Sequence, residues 1–184
     1  MNRSHVLWIT RTAILIALLV SVQAATAPLA AIPLLRQLVA GSLINMILVV
    51  SVMAASLSTG ITVGAISPVF ASLLGVVPGW QWPLVPVIGM GNAVFVVIWY
   101  LLSNRDIINK YITRGITIGL AAAAKFLVLF VGVVQVLLRV LDFMPNQINA
   151  LSTTFSVTQL FTASIGGVLA TLALPVIHKA IRRG

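Results

Sequence analysis

The chain has 184 residues, of which 60% are hydrophobic and only 7% carry a charge. Because soluble domains are typically about 25% charged, this composition excludes a soluble globular protein and predicts an integral membrane protein. The net charge of +9 is spread between apolar runs, so it indicates membrane topology and not a nucleic-acid-binding surface.

Six apolar stretches are long enough to cross the hydrocarbon core of a bilayer, which takes about 20 helical residues. In chain order they are residues 8–27, 38–56, 60–78, 84–103, 115–140 and 157–178. Proline, glycine and polar segments separate them, among them the turn SLST and the charged segment SNRDIINKYITR. We therefore predict an all-α membrane protein with one six-helix domain that covers residues 1–184.

The first stretch is also compatible with a cleaved signal peptide. Arg3 and Arg11 precede its apolar run, which ends in small residues. The basic region is long for a signal peptide, so we predict a retained first helix.

Small residues recur at a spacing of four at three places. Ala13, Ala17 and Ser21 do so on the first helix, and GITVG at 60–64 and GITIG at 115–119 do so at the starts of the third and fifth helices. Such patterns let helices approach closely. We expect both GxxxG strings to pack inside the bundle.

The basic residues predict the orientation of the helices. With both ends in the cytoplasm, eight basic residues lie on the inner side and two near the outer side. The inner residues are Arg3, Arg11, Arg105, Lys110, Arg114, Lys179, Arg182 and Arg183, and the outer ones are Arg36 and Arg139. This bias follows the positive-inside rule, so we expect cytoplasmic N- and C-termini.

One lysine, Lys125, lies within the fifth stretch, about ten residues from its predicted cytoplasmic end. A charge near mid-membrane is costly and usually faces a bundle interior or a cavity. Arg139 falls about 40° around the helix axis from Lys125, with Gln135 on the same side. We expect these three residues to form a polar stripe along a ligand cavity. Alternatively, Lys125 snorkels or bonds a backbone carbonyl, and Arg139 pairs with Asp142.

Further polar side chains are predicted at similar depth in other helices. Asn45, Asn92 and Gln159 lie in the outer half of the bundle, and Trp80 and Trp82 lie in the loop above it. Together they predict a substrate-binding site with a few donors and no acids, suited to amide, hydroxyl, carboxylate or phosphate groups. Alternatively, the amides only join helices and the tryptophans belong to an aromatic belt.

No arrangement of residues indicates catalysis. The ATP-binding loop GxxxxGK[ST] is absent, and so are the His/Ser and His/Glu pairs of hydrolases at membrane depth. The chain has no cysteine and only two acids, Asp106 and Asp142, which are too few for an internal metal site. We expect a protein that is not an enzyme and binds no catalytic cofactor or metal.

Six helices in 184 residues, with an AxxxA at Ala13 and Ala17 and no ATPase motif, resemble the substrate-binding S component of energy-coupling factor (ECF) transporters. The runs LVAGSLINMILVV (38–50), AISPVFASLLGVVP (65–78) and LVPVIGMGNAV (84–94) are similar to one subfamily of these S components, and the resemblance covers nearly the whole chain.

The resemblance implies a bacterial plasma-membrane protein with three kinds of partner. Ala13 and Ala17 would contact a membrane coupling subunit, two ATPase subunits would complete the transporter, and a vitamin would bind near the outer face. Transport would proceed by tumbling of the S component in the membrane.

The subfamily is most similar to the cobalamin-specific S component. Cobalamin carries amides and a phosphodiester, which match Asn, Gln, Lys and Arg without acids. Pantothenate, with its carboxylate, suits Lys125 or Arg139 equally well. An independent channel or secondary transporter, and a structural subunit without a ligand, are the alternative functions.

Overall fold

The computed structural model describes residues 3–74, 79–103, 105 and 109–181, and this part of the chain is helical without a strand. The α-helices are α1 Arg3–Ala25, α2 Pro33–Ala54, α3 Leu57–Leu73, α4 Val85–Ser103, α5 Lys110–Leu129, α6 Leu138–Val140, α7 Pro145–Thr154 and α8 Val157–Ile181. Two 3₁₀-helices, Ala27–Ala31 and Gly79–Leu84, precede α2 and α4, and a π-helix, Phe130–Leu137, joins α5 to α6. The all-α prediction is confirmed for these residues.

Five segments of the described chain are long and apolar enough to cross a membrane, and α3 is a shorter apolar helix. The five segments contain α1, α2, α4, the continuous helix from α5 to α6, and α8. This agrees with the multi-pass helical membrane protein that the composition predicts. Arg182, Arg183 and Asp106 lie outside the described residues.

The second helix begins five residues earlier than predicted, at Pro33 and not at residue 38. Proline is favourable in the first helical turn, because its φ is already set and its missing N–H has no intrahelical partner there. Arg36 is therefore a helical residue of α2 and not a loop residue.

The third helix is shifted towards the N-terminus relative to the predicted range of 60–78. It begins at Leu57, because the Ser56 side chain accepts a hydrogen bond from the Thr59 backbone N–H and caps the helix. Most of the predicted SLST turn is thus the first turn of α3. The helix ends at Leu73, and residues 75–78 lie outside the described part.

The fifth helix begins at Lys110, where the Asn109 side chain accepts from the Tyr111 backbone N–H. Its inward face is a line of residues four apart that are all buried, namely Thr113, Thr117, Ala121, Lys125 and Leu129. From Phe130 to Leu137 the helix is π-helical, with i→i+5 bonds and more residues per turn. The predicted angular spacing of 100° per residue therefore fails beyond Leu129.

The two GxxxG strings have different surroundings. Gly60 and Gly64 are buried, and a Cβ on either would lie within 3.1 Å of a side chain of α4, which confirms packing inside the bundle. Gly115 and Gly119 are exposed, and a Cβ there would meet no atom within 4 Å. The prediction of internal packing was therefore wrong for GITIG, because α5 turns its threonines inward at this level.

The main hydrophobic core fills the half of the bundle on the side of the chain ends. It contains residues such as Leu48, Val52, Phe95, Trp99 and Ala170, from α2, α4 and α8. A smaller cluster that includes Leu84, Leu129, Val133, Leu151 and Phe155 lies towards the opposite end. Apolar side chains therefore fill the half of the bundle near the chain ends, and the bundle opens at the opposite end.

Candidate functional site

A cavity of about 410 Å³ lies at the end of the bundle opposite the chain ends. The last turn of α1, the first half of α2, the second half of α3 and the N-terminal part of α4 surround it, together with α7 and the start of α8. Its polar lining residues include Gln23, Arg36, Gln37, Asn45, Ser67, Gln81, Asn92, Lys125 and Gln159. The volume is within the range of about 300–1,000 Å³ that is typical of small-molecule sites.

Lys125 forms the floor of this cavity and is only 4% exposed. Its Nζ donates to Oδ1 of Asn45 at 2.6 Å and to Oδ1 of Asn92 at 2.7 Å. The ammonium also lies 5.4 Å from the centre of the Phe95 ring, within the range of cation–π attraction. Lys125 thus joins α5 to α2 and α4, and it neither snorkels to the surface nor bonds a backbone carbonyl.

The surrounding hydrogen bonds fix the orientation of the Asn92 amide. Its Nδ2 donates to the Gly64 carbonyl oxygen at 2.9 Å, so its oxygen is the atom that faces Lys125. Gly64 allows this contact because a Cβ there would lie 3.1 Å from the Asn92 Cβ. The GITVG string therefore brings α3 close enough to hold the asparagine in place.

A second glycine supports Asn45 from the other side. A Cβ on Gly166 of α8 would lie 2.5 Å from the Asn45 Cβ and 2.6 Å from the Ser42 carbonyl oxygen. Since both atoms belong to α2, this glycine lets α8 approach the α2 backbone directly. Each asparagine of the floor is thus held by a glycine on a neighbouring helix.

The floor holds the Lys125 amino group without an acidic partner among the described residues. The two acceptors of the Lys125 ammonium are neutral amides, and an ammonium has three N–H donors, of which these bonds use two. Asp142 is exposed and is not a lining residue, and Asp106 lies outside the described part. The described lining contains no carboxylate or imidazole, so its donors are suited to anions and not to metal ions.

Two polar residues on the cavity wall have a buried atom without a hydrogen-bond partner. Gln23, 1% exposed, donates from Nε2 to the Ser67 carbonyl at 3.0 Å, while its Oε1 has no partner. Arg36 has the same property at Nη2. Neither residue was predicted to belong to the site, although a glutamine in the last turn of an apolar helix was a usable signal.

The structure brings together four of the predicted site residues on helices and one of the two tryptophans. Asn45, Asn92, Lys125 and Gln159 all line the cavity, as does Trp80, whose ring packs edge-on against Phe143 at 5.8 Å. The Gln159 side chain donates to the Thr154 carbonyl, which ties the start of α8 to α7. Trp82 is 45% exposed and is not a lining residue.

Gln135 and Arg139 do not line the cavity, so the predicted stripe from Lys125 to Arg139 was wrong. The π-helix separates Lys125 from both residues and changes their angular position. Arg139 instead donates from Nη2 to Gln135 Oε1 at 2.7 Å on the exposed surface. Gln135, and not Asp142, is therefore the partner of this arginine.

Ala13 and Ala17 lie on an exposed face of α1, next to the exposed side chains of Ile14 and Leu18. In the described structure this face is not covered by another helix of the bundle. It is therefore available to lipid or to a second membrane protein.

The fold and the cavity together describe a helical multi-pass membrane protein with a ligand-sized site at one end. No protein-family model, curated protein or solved structure matches the chain.

Proposed function

We propose that this chain is the substrate-binding S component of an ECF transporter, which captures a vitamin in the cavity described above. The observation that carries the proposal is a cavity of about 410 Å³ whose floor is the Lys125–Asn45–Asn92 cluster and which is closed below by the main core. A site that opens at one end is typical of capture. A channel would need a continuous polar path, and the main core below Lys125 is formed by apolar side chains such as Phe95, Trp99 and Ala121.

The side of the membrane follows from charge. The positive-inside rule predicts that the ends of the chain lie in the cytoplasm, and the cavity lies at the other end of the helices. The ligand therefore enters from outside. Delivery to the inside then requires a movement of the whole chain, which the family accomplishes by tumbling driven by two ATPase subunits.

A structural subunit without a ligand is a weaker explanation. It predicts an internal partner for Lys125 and no ligand-sized cavity, and Asn45 and Asn92 are indeed internal partners. The cavity directly above them, however, has no role in such a protein. The combination of a lysine held by two internal hydrogen bonds and an open cavity above it favours a binding protein.

Size separates the two candidate vitamins. The sequence resemblance favours cobalamin, whose corrin ring and nucleotide loop are much larger than a drug-sized ligand. A cavity of about 410 Å³ holds a small vitamin such as pantothenate, whereas cobalamin would fit only if the rim moved apart. The geometry therefore favours the smaller ligand.

Calorimetry on the purified chain in detergent, without partner subunits, tests the capture function. We expect one vitamin of a panel that includes cobalamin and pantothenate to bind at one site with micromolar or tighter affinity. Ala40→Trp, which fills the cavity from α2, should abolish this binding, and Leu172→Trp on the exposed face of α8 should not. Binding that survives Ala40→Trp would place the ligand elsewhere and contradict the proposal.

A further inference from the structure

We infer that the ligand of the cavity is a small organic anion, with a carboxylate as the expected group, that also carries an N–H or O–H donor. This inference rests on the proposed function, because it names the substrate class of the same cavity. It is carried by three observations, namely a buried lysine without an acidic partner, a third N–H donor that its ammonium form leaves unused, and a buried acceptor without a partner.

The first observation concerns charge. Lys125 is buried and its two partners are neutral, so its ammonium has no counter-ion among the described residues. Arg36 adds a second cation to the same wall, and the described lining has no acid. Burying charge without an opposite charge is unfavourable, and a ligand anion at this position compensates it. A cationic ligand such as thiamine would add to the repulsion.

The second observation concerns geometry at the floor. Asn45 and Asn92 take two N–H groups of Lys125, which leaves the third to a ligand above the floor. The Asn92–Gly64 bond holds one of the two asparagines in place, so the ammonium is positioned before the ligand arrives. A carboxylate or phosphate oxygen is the strongest acceptor for such a donor.

The third observation concerns the wall. The Gln23 Oε1 atom is buried without a partner and accepts hydrogen bonds only. A hydroxyl or amide N–H of the ligand would satisfy it after a small rearrangement of the side chain. The Arg36 Nη2, also without a partner, is a donor and would take a ligand oxygen. The wall thus selects a ligand that has both donor and acceptor groups beyond its anionic end.

Matched pairs of compounds test the charge of the ligand directly. The purified chain would be titrated with pantothenate and panthenol, biotin and biotinamide, and nicotinate and nicotinamide, where each second member lacks the carboxylate. Uncharged riboflavin, cationic thiamine, cobalamin and inorganic phosphate complete the panel. We expect one acid to bind and its neutral partner to bind about tenfold more weakly or worse, as for the loss of a charge-assisted hydrogen bond.

Two variants test whether the preference for the acid over its neutral partner comes from Lys125 on the cavity floor. Lys125→Gln keeps an amide N–H for the asparagines but removes the charge, so it should reduce the preference for the acid to about twofold or less. Arg139→Gln removes a cation of the same helix that lies outside the cavity, and it should keep the full preference. An unchanged preference in Lys125→Gln would overturn the role of the lysine even if this variant is less stable.

The outcomes separate this inference from the proposed function. If a neutral or cationic vitamin, or cobalamin, binds more tightly than every acid, the S-component function stands and the inference is wrong. If inorganic phosphate binds and none of the vitamins does, the floor is an anion site for a different substrate. The assignment of a carboxylate ligand is then wrong. If no compound binds, the proposed function fails together with the inference.

Discussion

Lys125 connects the stability of the bundle with its proposed function. Its ammonium joins three helices, because its two acceptors belong to α2 and α4 while its own backbone belongs to α5. Leaving a buried acceptor without a donor costs about 1–3 kcal/mol per group. From the sequence alone, truncating this lysine is expected to weaken binding more than folding; the structure indicates that folding is affected as well.

Replacing Lys125 by methionine should therefore destabilise the chain. Lys125→Met keeps most of the volume but leaves two buried amide oxygens without a donor, so we expect a loss of about 2–5 kcal/mol. Arg139→Met is the matched control on the surface of the same continuous helix, with an expected change within about 0.5 kcal/mol. Denaturation in detergent, followed by circular dichroism, measures both. Equal stability of the two variants would show that the floor contributes nothing to folding.

Glycines decide how closely the helices approach around the site. Gly166 and Gly64 place α8 and α3 against the two asparagines, whereas Gly115 and Gly119 of α5 face open space. The sequence pattern is the same in both GxxxG strings. Their roles differ because a neighbouring helix is present in one case and absent in the other, which is a property of the assembled bundle.

Alanine at Gly166 should disturb the floor through the backbone of α2. Its Cβ would meet the Ser42 carbonyl oxygen at 2.6 Å, and a backbone atom cannot rotate away as a side chain can. We expect a stability loss of about 1–3 kcal/mol and weaker ligand binding. Gly119→Ala, in open space, should be neutral or stabilise the helix by up to about 1 kcal/mol. Thermal unfolding with and without ligand checks both, and a harmless Gly166→Ala would contradict the close packing.

Most of the helical elements could be predicted from hydrophobicity, because a span of about 20 apolar residues leaves little choice of structure in lipid. That Lys125, Asn45 and Asn92 lie at a similar level of the bundle followed from counting residues along these spans, and their hydrogen bonds agree with it. The π-helix could not be predicted, since Phe130–Leu137 is as apolar as an α-helical span. That segment is the reason why Gln135 and Arg139 were wrongly assigned to the cavity.

Two residues of the cavity wall, Arg36 and Gln23, were not predicted, each for its own reason. Arg36 was interpreted as a loop residue because two prolines precede it, and the helix-initiating role of Pro33 was not recognised. Gln23 lies in the last turn of α1, and its place on the wall depends on the contact with Ser67 of α3. A single sequence does not reveal such contacts between helices.

Capture and transport would use different parts of the molecule. The cavity lies inside the bundle, whereas Ala13 and Ala17 lie on an exposed face of α1. Small side chains on an exposed membrane helix allow a second helix to pack closely. We therefore assign this face to the coupling subunit, and a change there should affect transport without affecting binding.

The most direct test is uptake of the bound vitamin, measured with labelled compound in cells that express the chain with or without an ECF module. We expect uptake only with a module whose ATPases are active. Ala13→Trp with Ala17→Trp should abolish this uptake while calorimetric binding stays within about twofold, and Leu172→Trp, equally bulky on the exposed face of α8, should keep both. Uptake by the chain alone, or full uptake by the double variant, would contradict the proposed function as an S component.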